Sequence, residues 1–212
     1  MIAVIGTPRL RGSGPEADVA GLAASVAVAA AAAGSRVELV GKTGDDPAGD
    51  AVLMGLTGHH VGHVATLRDP ARPTPVTPAG PEPEELDGAE SSAPAPPAAE
   101  GPVLEAADVG LALRYLPELA VIVTVHAAPE VVDEALAASG WAQTALIVVV
   151  APGAPAPDGM PETATVVALA DDDDLEGGAG VAIGRYAAAI DQGDPADEAY
   201  AELVATGSAT EA

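Results

Sequence analysis

Cysteine is missing from all 212 residues, which excludes disulfides, thiol nucleophiles and zinc-thiolate centres. Phenylalanine is missing too, and aromatic residues make up 2% of the chain, so Ala, Val and Leu must fill any core. Side chains of that size favour close helix–sheet contact over bulky interdigitation. Positive charge is scarce: eight Lys and Arg stand against 32 Asp and Glu, Lys42 is the lone lysine, and the formal net charge is −24. Such a field repels phosphodiester backbones and anionic lipid, so neither nucleic acid nor membrane is expected as a partner. No apolar run is long enough to span a bilayer and no basic leader precedes one, so a soluble, cytoplasmic protein is expected.

What is present suits one α/β domain over residues 1–212, with a Pro-rich loop or linker at about 70–102 that holds half of the 20 prolines. The organising stretch is Ala20 to Gly49. Ala23 to Ala33 has almost no polar side chain and reads as a buried helix, and Gly34 suits the left-handed residue that ends it. Val37 to Val40 reads as a strand, followed by a glycine-rich acidic loop in which Asp45 or Asp46 caps the next helix ahead of Pro47. Thr7 to Pro15 reads as a polar turn. Further strands are expected at Ile2–Gly6, from His63 to Leu67, at Leu119–Val125, Ala145–Val150 and Ala164–Leu169. Helices are expected at Pro47–Thr57, Val103–Tyr115, Pro129–Ser139, Val181–Ile190 and from Gly193 to about Thr206. The alternation predicts a three-layer, mainly parallel, Rossmann-like sheet with helices on both faces.

Gly21, Ala24, Ala27 to Gly34, Val37 to Gly41 and Gly44-Asp45-Asp46-Pro47-Ala48-Gly49 fall without a gap into a known pattern. The pattern resembles the first signature of the ribokinase-like (PfkB) carbohydrate and nucleoside kinases. Gly178-Ala179-Gly180 and the small-residue helix after it resemble that family's second signature, Gly-Ala-Gly-Asp. Ala79-Gly80-Pro81 and Glu84 to Asp87 resemble the remnant of its Pro-Gly-Ala-Asn segment and following helix. The resemblance implies a ribokinase-type sheet, an anion pocket at Gly178, Ala179 and Gly180, and a substrate site near Ser25, Arg11 and Asp45.

The departures from the family carry as much information. Val181 stands where the family has the aspartate that takes the proton from the attacking hydroxyl, and a positioned base is worth about 10²–10⁴ in rate. Ser25 replaces the sugar-binding asparagine, and the sugar-binding aspartate falls near Arg9 to Arg11, with its charge reversed. The family's Asn-x-x-Glu falls in Ala170 to Asp174, an aspartate run here. The family's lid strands and nucleotide-side strands are expected to be reduced or absent. Asp174 and Glu176 are the candidate replacements for the base.

Other signals are weaker. Gly41-Lys42-Thr43 matches only the end of a P-loop, and Asp171 to Asp174 suits a solvated acidic turn better than a cation site. Of His59, His60 and His63, only His60 and one neighbour could converge on a metal if they lie along a strand, because adjacent residues there point to opposite faces; they read as surface histidines and no metal site is assigned. His126, at the end of a central strand, sits where open α/β sheets bind ligands. Trp141 and Tyr186 read as packing residues, and Arg185, one turn after Val181, reads as a surface or anion-facing residue. The leading expectation is a homologue without phosphotransferase activity, acting as a binding or assembly protein and needing no cofactor. Its partners would be a small sugar or anion, or a second copy of the chain covering an exposed sheet edge. The alternatives are an active sugar or nucleoside kinase with a displaced base, using ATP and Mg²⁺, and a structural or partner-binding α/β module.

Overall fold

The computed structural model describes residues 1–78, 101–161, 163–169 and 178–201. The sequence-based assignments at Ala79 to Asp87, Ala170 to Asp174 and Glu176, and the end of the last helix, lie outside the described residues.

Six strands form one sheet in the order β5-β4-β1-β7-β8-β9, and every pairing in it is parallel. These are β1 (Ile2–Ile5), β4 (Val37–Gly44), β5 (Thr66–Asp69), β7 (Val121–Val125), β8 (Ala145–Val150) and β9 (Thr165–Ala168). β1 and β7 are buried at every residue, as continuous apolar runs require when both faces are covered. Alternate residues of β1 then divide between two cores. Ile2 and Val4 pack with α1 (Leu22–Ala32), α2 (Pro47–Gly58) and α5 (Gly178–Gln192). Ala3 and Ile5 pack with α3 (Ala106–Tyr115) and α4 (Pro129–Ala142) on the opposite face. The expected three-layer architecture is present.

A second sheet orders β3 (Asp18–Ala20), β2 (Arg9–Arg11) and β6 (Val76–Thr77), with β2–β3 antiparallel and β2–β6 parallel. This corrects the reading of Thr7 to Pro15 as a plain turn: only Leu10 and Val19 of β2 and β3 enter the core, too few to leave a periodic signal. β4 is also longer than Val37–Val40, because Gly41 to Gly44 pair residue by residue with β5. Glycine there reflects crowding, since a Cβ on Gly41 would lie 2.6 Å from the Gly6 carbonyl oxygen. The histidines after α2 are not in a strand; only Gly62 bridges to Glu38 before β5 begins. α3 starts at Ala106 and not at Val103, because Glu105 and Asp108 form a capping box. Trp141 does not pack inside: it is 59% exposed at the end of α4.

α1 carries the expected small-residue surface, and Gly34 takes φ +96° just beyond its end. α5 lies tightly against it. Ile183, Tyr186 and Ala187 of α5 share one core with Val26, Ala27 and Ala30 of α1. Tyr186 also meets Thr165 of β9 through its hydroxyl at 2.7 Å and Tyr200 in an edge-on ring contact. No helix among the described residues is long and apolar enough to cross a membrane.

Candidate functional site

The small sheet, α1, α5 and the end of α2 enclose a cleft of about 530 Å³. α1 gives it an apolar wall of Ala24, Val28, Ala29 and Ala32, interrupted by Ser25. α5 contributes Val181 and, one turn on, Arg185. The small sheet contributes Arg11 from β2 and Asp18 and Val19 from β3, and His59 closes the rim as the C-cap of α2. β3 reaches α2 because Gly55 has no side chain; a Cβ there would press to 3.2 Å from Val19 Cβ.

Polar groups in the cleft are paired across long sequence distances. His59 Nε2 lies 3.3 Å from both Asp18 carboxylate oxygens, so that nitrogen carries the proton and donates. Both residues are partly exposed, at 40% and 48% for their side chains, so the pair serves mainly to orient the imidazole. Ser25 sits in the first turn of α1, where its backbone N–H donates to Gly21 O at 2.9 Å.

The structure therefore brings together Ser25, Arg11, Val181 and Arg185 from the sequence-derived set. Gly178, Ala179 and Gly180 form the first turn of α5 immediately before Val181. Asp45 does not line the cleft; it is exposed, and its backbone N–H donates to Asp69 O at 2.9 Å. Asp174 and Glu176 lie outside the described residues. Asp18 and His59 join the cleft without having been singled out together. Their only sequence signals are a polar residue starting the short segment before Gly21 and a histidine just past a helix, 41 residues apart.

The Gly44 to Gly49 signature builds a structural knot behind this site. Asp46 caps α2, its Oδ1 accepting from the Gly49 N–H at 2.7 Å and from the Thr74 hydroxyl at 2.8 Å. Its Oδ2 accepts from the Thr74 N–H at 2.8 Å. Burial pushes the Asp46 carboxyl up, but the Thr74 and Gly49 hydrogen bonds and the Arg68 charge outweigh it and hold the group below the usual carboxylate range. Arg68 donates to Gly44 O at 2.8 Å and pairs with Asp50. Both glycines are required: a Cβ on Gly44 would fall 2.6 Å from Asp46 Oδ2 and from Thr74 N, and one on Gly49 would strike the Gly44 carbonyl.

The remaining candidates resolve individually. Lys42 lies in β4 and bonds Asp108 of α3 at 2.7 Å, so Gly41-Lys42-Thr43 is a strand with a cross-layer ion pair and not a phosphate loop. His63 Nε2 faces the Thr57 hydroxyl at 3.0 Å, on a different partner from His59. His126 adopts φ +44° at the end of β7, and its Nε2 lies 2.8 Å from Leu169 O, a contact only an N–H can make. It lines a second cavity of about 580 Å³ with Asp133 and Asp158.

Comparison with known proteins agrees with this geometry. Residues 3–78 match the model of the pfkB family carbohydrate kinases. Three solved structures share the fold. A PfkB protein from Polaromonas sp. JS666 is 15% identical with a TM-score of 0.64, covering 97% of this chain and 94% of its own. A fructokinase from Xylella fastidiosa, solved with ATP, is 17% identical with a TM-score of 0.53, covering 96% of this chain and 65% of its own. A sugar kinase from Pyrococcus horikoshii, also solved with ATP, is 16% identical with a TM-score of 0.50, covering 71% of this chain and 53% of its own. The chain thus spans between about half and two thirds of the length of these last two kinases. No curated protein sequence matches it. Residues 3–78 thus carry the likeness to the pfkB family carbohydrate kinases, and the six-stranded parallel sheet has the ribokinase-like α/β fold that the solved neighbours share.

Proposed function

We propose that this protein binds a small ligand in the cleft between its two sheets and does not transfer phosphate to it. The observation that carries this reading is Val181, which lines the cleft at the position where the resemblance expects the catalytic aspartate. An isopropyl group accepts no proton, so the step for which the family positions a base has none at this place.

ATP and Mg²⁺ enter through the two kinase neighbours solved with ATP. The first turn of α5 offers backbone N–H groups of the kind that hold a phosphate, and these would carry the anion. Among the described residues, no three His, Asp or Glu side chains gather to hold a metal by themselves, and Mg²⁺ bound with a nucleotide takes much of its coordination from phosphates and water. No step through the nucleotide is derived.

The test is direct. The full chain is incubated with ATP, Mg²⁺ and a panel of sugars, with heat of binding and phosphorylated product followed in parallel. Binding without product above background is expected, for the parent and for Val181→Asp alike, because the family's Asn-x-x-Glu is replaced as well, by the aspartate run of Ala170 to Asp174. Product from the parent overturns the non-transferring reading. Product from Val181→Asp alone shows that the base was the sole loss.

One observation favours a second reading, an active kinase with a displaced base. The Asp18 carboxylate opens on the same cleft as Val181. If it took the proton, the parent would turn over and Asp18→Asn would lower the rate by about 10²–10⁴.

A further inference from the structure

Aromatic side chains are scarce in this chain, one Trp and three Tyr in 212 residues, yet two of them are spent on the surface of a single layer. Tyr115 is 79% exposed at the end of α3, and Leu111, one turn before it, is 55% exposed. Trp141 stands open to solvent at the end of α4. The topology brings these ends together. α3 leads into β7 and α4 leaves it, so both helices run opposite to the strands, side by side on one face of the sheet. They meet where Gly110 faces the Glu134 carboxylate. Tyr115 lies five residues beyond that point and Trp141 seven, so the two differ by about 3 Å along the helix axes at 1.5 Å per residue. Leu111 and Tyr115 share one side of α3 at i, i+4 spacing, and Ala137 and Trp141 share one side of α4 in the same way, all four exposed.

We infer that this outer helical face joins two copies of the chain, packed antiparallel about a twofold axis with α3 against α3 and α4 against α4. An exposed apolar stripe on a chain with 32 acidic residues marks a contact surface. The charges on α3 decide which partner fits it. The helix opens after exposed Glu105 and closes with exposed Arg114, one charge of each sign at opposite ends of the stripe. In an antiparallel pair each Arg114 faces the Glu105 of the other copy, so the surface complements itself, as a twofold contact demands. A basic partner would be repelled by Arg114, and an acidic one by Glu105 and by exposed Glu130 and Asp133 of α4. Long side chains on a helix lean toward its N-terminus, which carries Trp141 toward exposed Pro129 at the start of the other copy's α4. A buried Trp and Tyr supply the anchors that such an interface needs.

Ligand binding plays no part in this contact, and the test does not depend on it. Dimerisation follows protomer concentration, so sedimentation velocity on the full chain is run from about 1 to 100 μM. Trp141 is the sole tryptophan, and its emission therefore reports this face alone. The mass is expected to double as concentration rises, with Trp141 emission moving to the blue over the same range. Leu111→Glu and Tyr115→Glu are expected to weaken the dimer about tenfold or more. Arg114→Glu should weaken it as well, because like charges then face each other, whereas Arg114→Lys keeps the charge and should not. Val76→Glu on β6 and Val166→Glu on β9, at the edges of the two sheets, should leave the dimer unchanged. A single mass at every concentration overturns the inference, and blue emission that ignores dilution shows Trp141 covered within one chain and overturns it too. So does a dimer lost in the edge variants but kept in Leu111→Glu and Tyr115→Glu. An Arg114→Glu protein that pairs as tightly as the parent overturns the antiparallel arrangement. Thermal melts of each variant check that the fold is intact.

Discussion

Gly184→Val is expected to cost this protein roughly 3 kcal/mol or more, at the top of the usual range for overpacking a core. A Cβ on Gly184 would lie 2.5 Å from the Val26 carbonyl oxygen, 2.7 Å from Ala29 Cβ and 2.9 Å from the Ala30 nitrogen. Two of those are backbone atoms of α1, and α1 has nowhere to go, because Val26, Ala27 and Ala30 are fully buried against the sheet. Either α5 lifts away or α1 is pressed into β1. Gly184→Ala adds one methyl to the same contact but regains about 1 kcal/mol of helix propensity, so its net effect is smaller. For a chain of this length, about 3 kcal/mol corresponds to a fall of roughly 6–12 °C in Tm. Circular dichroism melts of Gly184→Val, Gly184→Ala and Gly178→Ala give the comparison. Gly178 sits in the first turn of the same helix with nothing within 4 Å of its Cβ position, so it reports the substitution without the clash. A Gly184→Val protein as stable as the parent would show that α1 and α5 do not pack this closely. The effect reaches the cleft as well, since Val181 and Arg185 ride on α5 and Ser25 and Val28 on α1.

That contact shows which features were legible in the sequence. A helix made almost wholly of alanine has no polar face to present to water, and it must be covered on more than one side. This predicted α1 and its burial, and the apolar runs of β1, β7 and β8 predicted a parallel sheet with two covered faces. Local chemistry also placed Gly34 at the end of α1 and narrowed the cap of α2, ahead of Pro47, to Asp45 or Asp46, of which the structure uses Asp46. What was hidden depends on distance along the chain. Glycines at 41 and 44 look like a loop until Gly6 and Thr74 are seen pressing on them. Three-residue strands such as β2 and β3 bury one side chain each, below what periodicity can register. Lys42 meets Asp108 across two layers, and His59 meets Asp18 across 41 residues, with no spacing rule to announce either pair. The candidate site was half visible for the same reason. Ser25, Arg11 and Val181 lie on signature positions and could be placed by resemblance, whereas Asp18 and His59 come together only when β3 closes onto α2.

Asp46→Ala is expected to lower stability at neutral pH by about 2–4 kcal/mol, and to do so less as the solution becomes acidic. The cap on the Gly49 N–H is worth about 0.5–2 kcal/mol. The Thr74 N–H, left without its acceptor in a partly buried place, adds roughly 1–3 kcal/mol. The pH dependence follows from the lowered carboxyl. Folding favours the ionised form, so its stabilising contribution is complete above the unfolded value of about 4 and is lost as pH falls through the lower folded value. Urea unfolding of parent and variant at neutral pH and below pH 4 isolates this group, because the other carboxylates titrate in both proteins. The stability gap between the two should narrow in acid; a gap that stays constant would mean Asp46 acts through packing alone. Asp46→Asn should fall between them, since it keeps one acceptor oxygen but turns an amide toward a neighbouring donor. The consequence for binding lies two residues beyond Thr74, where β6 pairs with β2 and sets Thr77 beside Arg11. Loosening the knot therefore loosens the strand that carries one of the two cleft arginines. Ligand binding in the cleft should weaken in Asp46→Ala even at temperatures well below its melting point, while the exposed Asp45→Ala, which lines no part of the cleft, should leave it unchanged.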